Sequence, residues 1–126
     1  MYVNRVRYSI DIDYRADLAG GLVLCHGIGV VIGCYVKTEG PVKIYQGVTL
    51  GGNSGKHRMV NERRFEQSWI YPHAVIYTNS VVIGPVIIGE NAIVGTGSII
   101  TRDVPPNTMV YVKSERIDRD IIKHAP

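Results

Sequence analysis

The sequence predicts an all-β fold, a parallel β-solenoid of triangular cross-section, on three observations. Large aliphatic residues recur every six positions at Ile12, Leu18 and Leu24, at Ile44 and Leu50, and from Ile70 through Ile76, Val82, Ile88 and Val94 to Ile100. Two positions before such sites the residue is small or aliphatic, as at Ala16, Val42, Val48, Ala74, Ser80, Val86, Ala92 and Ser98. Glycine often follows the site, as at Gly51, Gly89 and Gly95. Neither a 3.6-residue helical period nor simple strand alternation sustains this rhythm. Three short strands per coil do, because every sixth side chain then points inward and a coil takes about 18 residues, stacking aliphatics coil upon coil.

Taken in threes, the sites fall into columns. The first holds Ile12, Ile32, Leu50, Val82 and Ile100; the second Leu18, Thr38, Ile70 and Ile88; the third Leu24, Ile44, Ile76 and Val94. Thr38 fills the one position that is not Ile, Leu or Val. Two interruptions flank the first column, one coil apart. A two-residue slip lies in Leu24-Cys25-His26-Gly27-Ile28-Gly29-Val30-Val31-Ile32, and a long insertion spans 51–69. Repeat coils are expected over about 10–104. Thr101 through Asn107 should end them, because Pro105 and Pro106 cannot donate to a ladder. In the tail, 105–126, Ile117, Ile121 and Ile122 are spaced to form a helical turn or two that would cap the open end.

At 126 residues the chain suits a single domain, 1–126. No apolar run approaches the roughly 20 residues of a membrane span, and the basic start Met1 through Arg7 has no apolar stretch behind it. A cytoplasmic location is therefore expected. Cys25 and Cys34 form no C-x-x-C pair and fit a reducing compartment. The net charge of +3 includes a cluster of Lys56, Arg58, Arg63 and Arg64, opposed nearby by Glu62 and Glu66. It reads either as a solvated loop or as an anion-attracting surface. Basic and aromatic residues do not interleave in the manner of a nucleic-acid surface.

Over residues 10–112 the chain resembles the hexapeptide-repeat acyltransferases, and the catalytic domain of serine acetyltransferase in particular. The resemblance rests on Ile10-Asp11-Ile12, on Gly21 through Gly33, on Gln46-Gly47-Val48-Thr49-Leu50-Gly51-Gly52, on Gly95-Thr96-Gly97-Ser98 and on Val104-Pro105-Pro106-Asn107-Thr108. It implies a left-handed parallel β-helix, against the usual hand of parallel crossovers. It also implies acetyl-CoA as co-substrate with no metal, a hydroxyl acceptor, and a homotrimer whose active sites lie in grooves between subunits. No counterpart of the family's helical N-terminal domain is expected within residues 1–126.

Acetyl transfer to an alcohol needs a base, and neutral imidazole suits that task near pH 7. By resemblance His26 takes the role, assisted by Asp11. The stacking independently brings them near, since Asp11 precedes Ile12 and His26 lies before Ile32, its vertical neighbour. An aspartate fixes the imidazole tautomer and stabilises the imidazolium. The bland alternatives are a structural histidine at a bulged corner and an aspartate on an outer surface. Gly51 or Gly52 matches the glycine pair that would supply a backbone N–H to the oxyanion; otherwise the pair only turns the chain into the insertion. Thr78 and Thr96 match positions where the family lays the pantetheine arm.

Departures from the family concern the acceptor. Cys25 stands where an aspartate helps read serine, Cys34 replaces an acidic residue, and Glu66 and Gln67 occupy the place of an Arg-His pair. His57 and Arg58 are candidate replacements for that pair, with an exposed loop histidine the simpler reading of His57. His73 should face outward. The expected activity is acetyl-CoA-dependent O-acetyl transfer to a small molecule or saccharide, with Phe65, Trp69, Tyr71 and the loop arginines as a candidate acceptor shelf. True L-serine O-acetyl transfer is one alternative. A non-catalytic scaffold is another. A metal enzyme on the same solenoid would need three converging histidines, and His26, His57, His73 and His124 lack such spacing.

Overall fold

The structure, a computed structural model, describes residues 9–124. Three parallel sheets form the walls of a triangular prism. Face A stacks β1 (Asp11–Ile12), β4 (Val31–Ile32), β7 (Thr49–Gly51), β12 (Val81–Ile83) and β15 (Ile99–Ile100). Face B stacks β2 (Asp17–Leu18), β5 (Lys37–Thr38), β10 (Trp69–Ile70) and β13 (Ile87–Ile88). Face C stacks β3 (Val23–Cys25), β6 (Lys43–Tyr45), β11 (Val75–Ile76), β14 (Ile93–Val94) and β16 (Met109–Val110).

The three aliphatic columns are the register of these sheets. Ile12 pairs with Ile32, Ile32 with Leu50, Leu50 with Val82 and Val82 with Ile100. On face B, Leu18 pairs with Thr38, Thr38 with Ile70 and Ile70 with Ile88. Strands of two or three residues suffice because each contributes one inward side chain, and Ile32, Ile44, Leu50, Ile70, Ile76 and Ile88 are essentially inaccessible. Hydrophobic contact runs along the prism axis in a single core.

Thr38 is no defect in this core. Its hydroxyl accepts the Ala19 N–H at 2.9 Å, which valine, of the same shape, could not do, and an unpaired N–H in such a place is costly. The small residues two before the inward sites serve the corners. Ser80 and Ser98 both donate to the Gly95 carbonyl, at 2.8 and 2.7 Å.

Two expectations are corrected at the C-terminal end. The repeat does not stop after Ile100: Val104 bridges to Ile88 and β16 pairs with β14. Pro105 and Pro106 are tolerated because the ladder donor there is Val104, whose N–H reaches the Ile87 carbonyl at 3.0 Å, and the prolines follow it into a turn. The expected cap does not form either. Among the described residues there is one short helix, α1 (Ile121–His124), and Ile117, Ile121 and Ile122 are exposed. Val104 and Val110 already cover the end of the core, so the tail finds no apolar surface there.

The insertion, expected as a loop, is a hairpin. Strands β8 (Arg58–Val60) and β9 (Arg63–Phe65) pair antiparallel. Asn61 and Glu62 between them both have positive φ, 50° and 64°, the two-residue turn that matches strand twist. Phe65 packs edge-on against Trp69, Arg63 covers the Trp69 ring, and the Trp69 indole N–H donates to Glu39 at 2.7 Å. Phe65 and Trp69 are buried, so they anchor the hairpin and do not form the exposed acceptor shelf expected of them.

Candidate active site

The corner joining face C to face A carries the slip. At a regular turn of this corner one residue takes the left-handed conformation, as do Gly47 (φ 72°), Asn79 (φ 59°) and Gly97 (φ 70°). Here Gly29 (φ 75°) does so, and a Cβ on it would lie 3.5 Å from the Gly47 Cα in the next coil. The extra residues form a bulge at whose start His26 also has φ 53°. Left-handed residues mark many turns of this solenoid, Tyr35, His73, Asn91 and Asn107 among them, so what sets His26 apart is a second left-handed residue, Gly29, three positions later in the same corner. His26 is exposed. Gly27 holds the bulge down, since a Cβ there would lie 2.9 Å from Ile10 Cδ1.

Backbone hydrogen bonds tie this corner into a vertical column. The N–H of Gly29 donates to Ser9, that of Gly47 to Ile28, that of Asn79 to Gln46 and that of Gly97 to Thr78, all at 2.8–3.0 Å. Thr78 and Thr96 therefore stand on the same edge as His26, in later coils. Asp11 is one step away on face A, in register with Val31 and facing outward because Ile12 faces inward. The column also holds an unpartnered group that the sequence did not single out: Gln46 Oε1 is buried without a hydrogen-bond partner.

The other candidates occupy the corner between faces A and B. Gly51 ends β7 and is still in register with Ile83, whereas Gly52 is the first residue past the ladder and is exposed. A Cβ on Gly52 would strike the Gln67 amide, and one on Gly33 would lie 3.3 Å from Gln67 Oε1, which is also buried and unpartnered. His57 is exposed before the hairpin. Arg58 is committed elsewhere, donating to Asp103 at 2.6 Å and to the Pro85 carbonyl at 3.1 Å. Within one chain, the width of face A separates this group from His26, Cys25, Thr78 and Thr96, with Asp11 on face A at the His26 side. His73 is exposed as expected, on another corner. Among the described residues no three His, Cys, Asp or Glu side chains converge as metal ligands, and no helix is long and apolar enough to cross a membrane.

The sequence reading also passed over an aromatic pair beside His26. The Tyr45 and Tyr77 rings stack with centroids 4.8 Å apart and planes 25° apart. Partial burial, then the nearby Cys25 and Tyr77, raise the Tyr45 hydroxyl above its ordinary range, so it stays a proton donor at neutral pH. The signal was available, since Tyr45 and Tyr77 follow Ile44 and Ile76, neighbours in one column.

Residues 67–102 match the family described as bacterial transferase hexapeptide (six repeats). The chain is a hexapeptide-repeat β-helix. This hexapeptide-repeat chain is 37% identical over 107 residues to a putative serine acetyltransferase of Schizosaccharomyces pombe, covering 82% of itself and 36% of that protein. It is 32% identical over 127 residues to the serine acetyltransferase of Bacillus pumilus, covering 94% of itself and 56% of the relative. The crystal structure of Neisseria gonorrhoeae serine acetyltransferase in complex with serine superposes with a TM-score of 0.74 at 33% identity, over 89% of this chain and 44% of that one. The chain thus spans between about a third and somewhat over half of the relatives it matches. The left-handed β-helix implied by the resemblance is the fold of this hexapeptide-repeat protein.

Proposed function

We propose that this hexapeptide-repeat chain is an acetyl-CoA-dependent O-acetyltransferase with His26 as general base. The observation that carries the reading is His26 itself, held exposed at the bulged turn of the corner that also bears Thr78 and Thr96. The acceptor oxygen bonds to the acetyl carbon as its proton passes to His26. The carbon–sulfur bond then breaks, and the proton leaves with the coenzyme A thiol. Asp11, at the same edge, orients the imidazole and balances its charge. Gly52, free of the ladder, is better placed than Gly51 to offer an N–H to the developing oxyanion.

Because the two candidate corners lie on either side of face A, a complete site needs a second copy of the chain. Exposed Val31 and Ile99 on face A support such packing, and a homotrimer would bring one chain's His26 corner to a neighbour's Gly52 corner. L-Serine as acceptor is supported by the names of the relatives and by the serine in the Neisseria complex. A hydroxyl on another small molecule or a saccharide is supported by Cys25, Glu66 and Gln67 at positions where charged or imidazole groups would be needed for serine. Calorimetric titration with coenzyme A tests the shared reading: saturable binding is expected, and a scaffold would give none.

A further inference from the structure

We propose that Gln67 is a second oxyanion donor, its carboxamide N–H acting beside the Gly52 N–H; this rests on the acetyltransferase reading above. Gln46 and Gln67 are the two glutamines of the chain, and their Oε1 atoms are buried without a partner. One belongs to each candidate corner. A buried acceptor without a donor is destabilising, so a carboxamide kept in that state is held for something other than stability. At Gln67 the surroundings identify it. Two glycines form the slot that its carboxamide fills: a Cβ on Gly52 would strike Nε2, and one on Gly33, in the preceding coil, would lie 3.3 Å from Oε1. Neither glycine has positive φ, so room for the amide, not backbone conformation, is what glycine provides there.

Oε1 is thereby turned inward beside Gly33, and Nε2 lies against Gly52, which is exposed. The segment is firmly held. Phe65 and Trp69, on either side of Gln67, are buried, and the Ser68 hydroxyl donates to the Val82 carbonyl at 3.1 Å. Glu66 is bound by Arg64 at 2.8 Å, so its charge is balanced and does not oppose an anion here. The Gly52 N–H and Gln67 Nε2 are thus neighbouring donors at the corner that a second copy's His26 would face. As the acceptor oxygen bonds to the acetyl carbon, the carbonyl π pair moves onto its oxygen, and the two N–H groups stabilise that anion. On collapse the pair re-forms the carbonyl, the carbon–sulfur pair leaves on sulfur, and sulfur takes the proton from His26. The amide itself is unchanged.

The test follows thiol release from acetyl-CoA, with L-serine and with methyl hexopyranosides, for the unaltered chain and for Gln67→Met. Methionine keeps the length of the side chain and removes both ends of the amide. The substitution should lower kcat about 100- to 1,000-fold, the range for loss of one oxyanion donor, and by the same factor with every acceptor that turns over. The KM for acetyl-CoA should change little. The melting temperature should rise, because the unpartnered acceptor is gone. A second measurement does not depend on the variant. With isotope-labelled glutamine the unaltered protein gives two side-chain N–H2 pairs, and the one in contact with the Gly52 protons should shift when acetyl-CoA is added. Unchanged kcat, a loss confined to one acceptor, or no shift of that pair overturns the donor role and leaves the acetyltransferase reading standing. No thiol release by the unaltered chain with any acceptor overturns both.

Discussion

Replacing His26 by asparagine lowers kcat for acetyl transfer by about 100- to 10,000-fold, the range expected for loss of a general base, and leaves coenzyme A affinity unchanged. Asparagine is the informative choice because His26 has φ 53°, a conformation that asparagine adopts readily and alanine does not. The melting temperature should therefore stay close to that of the unaltered protein. His26→Ala should lose the same activity and, in addition, about 1 kcal/mol of stability. The corner proposed to hold coenzyme A carries Thr78 and Thr96 in other coils, tied by their own backbone hydrogen bonds, so binding of coenzyme A measured by calorimetry should survive. Retained turnover in His26→Asn would remove this histidine from the mechanism.

Truncating Ile76 to alanine costs about 2–5 kcal/mol of unfolding free energy. Ile76 is fully buried in the middle of face C, paired with Ile44 on one side and Val94 on the other. The hole left behind cannot collapse, because both neighbours are fixed by their own ladders. The same truncation at Ile12, half-buried in the first described coil, should cost clearly less, since solvent already reaches it. Urea unfolding of the two variants measures the difference. Equal losses would contradict a core that is continuous along the prism axis and less deeply buried in its first described coil.

Much of the fold was legible because a solenoid repeats one constraint. Once Ile32, Leu50 and Val82 are seen to share a phase, their pairing follows without knowledge of the rest. The same logic put Asp11 and His26 at one edge of face A. It failed where local context overrides the period. Pro105 and Pro106 looked like terminators, yet they fall just after a position whose N–H the ladder uses. The hairpin was hidden because three-residue strands give too short an alternation to recognise, and Asn61-Glu62 is not the Asn-Gly turn that would announce it. Phe65 and Trp69 were read as a surface from their place in an insertion, but a hairpin this small needs them as its own core, under Arg63.

The tail isoleucines had helical spacing and no apolar surface of the chain to meet. Tyr45 and Tyr77 escaped notice for a different reason. Attention to inward sites alone discards the outward residue that follows each, and it is there that one coil's side chains meet the next coil's. The candidate site was legible in its ancestry, through the residues matching the transferases, and much less so in what distinguishes this chain from them.

The most direct measurement is acceptor-dependent thiol release from acetyl-CoA, with the acetylated product quantified by mass spectrometry. The geometry predicts that release follows addition of a hydroxyl-bearing acceptor, that each thiol is matched by one new ester, and that His26→Asn abolishes both. Thiol release indifferent to the acceptor, or none with serine and the pyranosides alike, would contradict it.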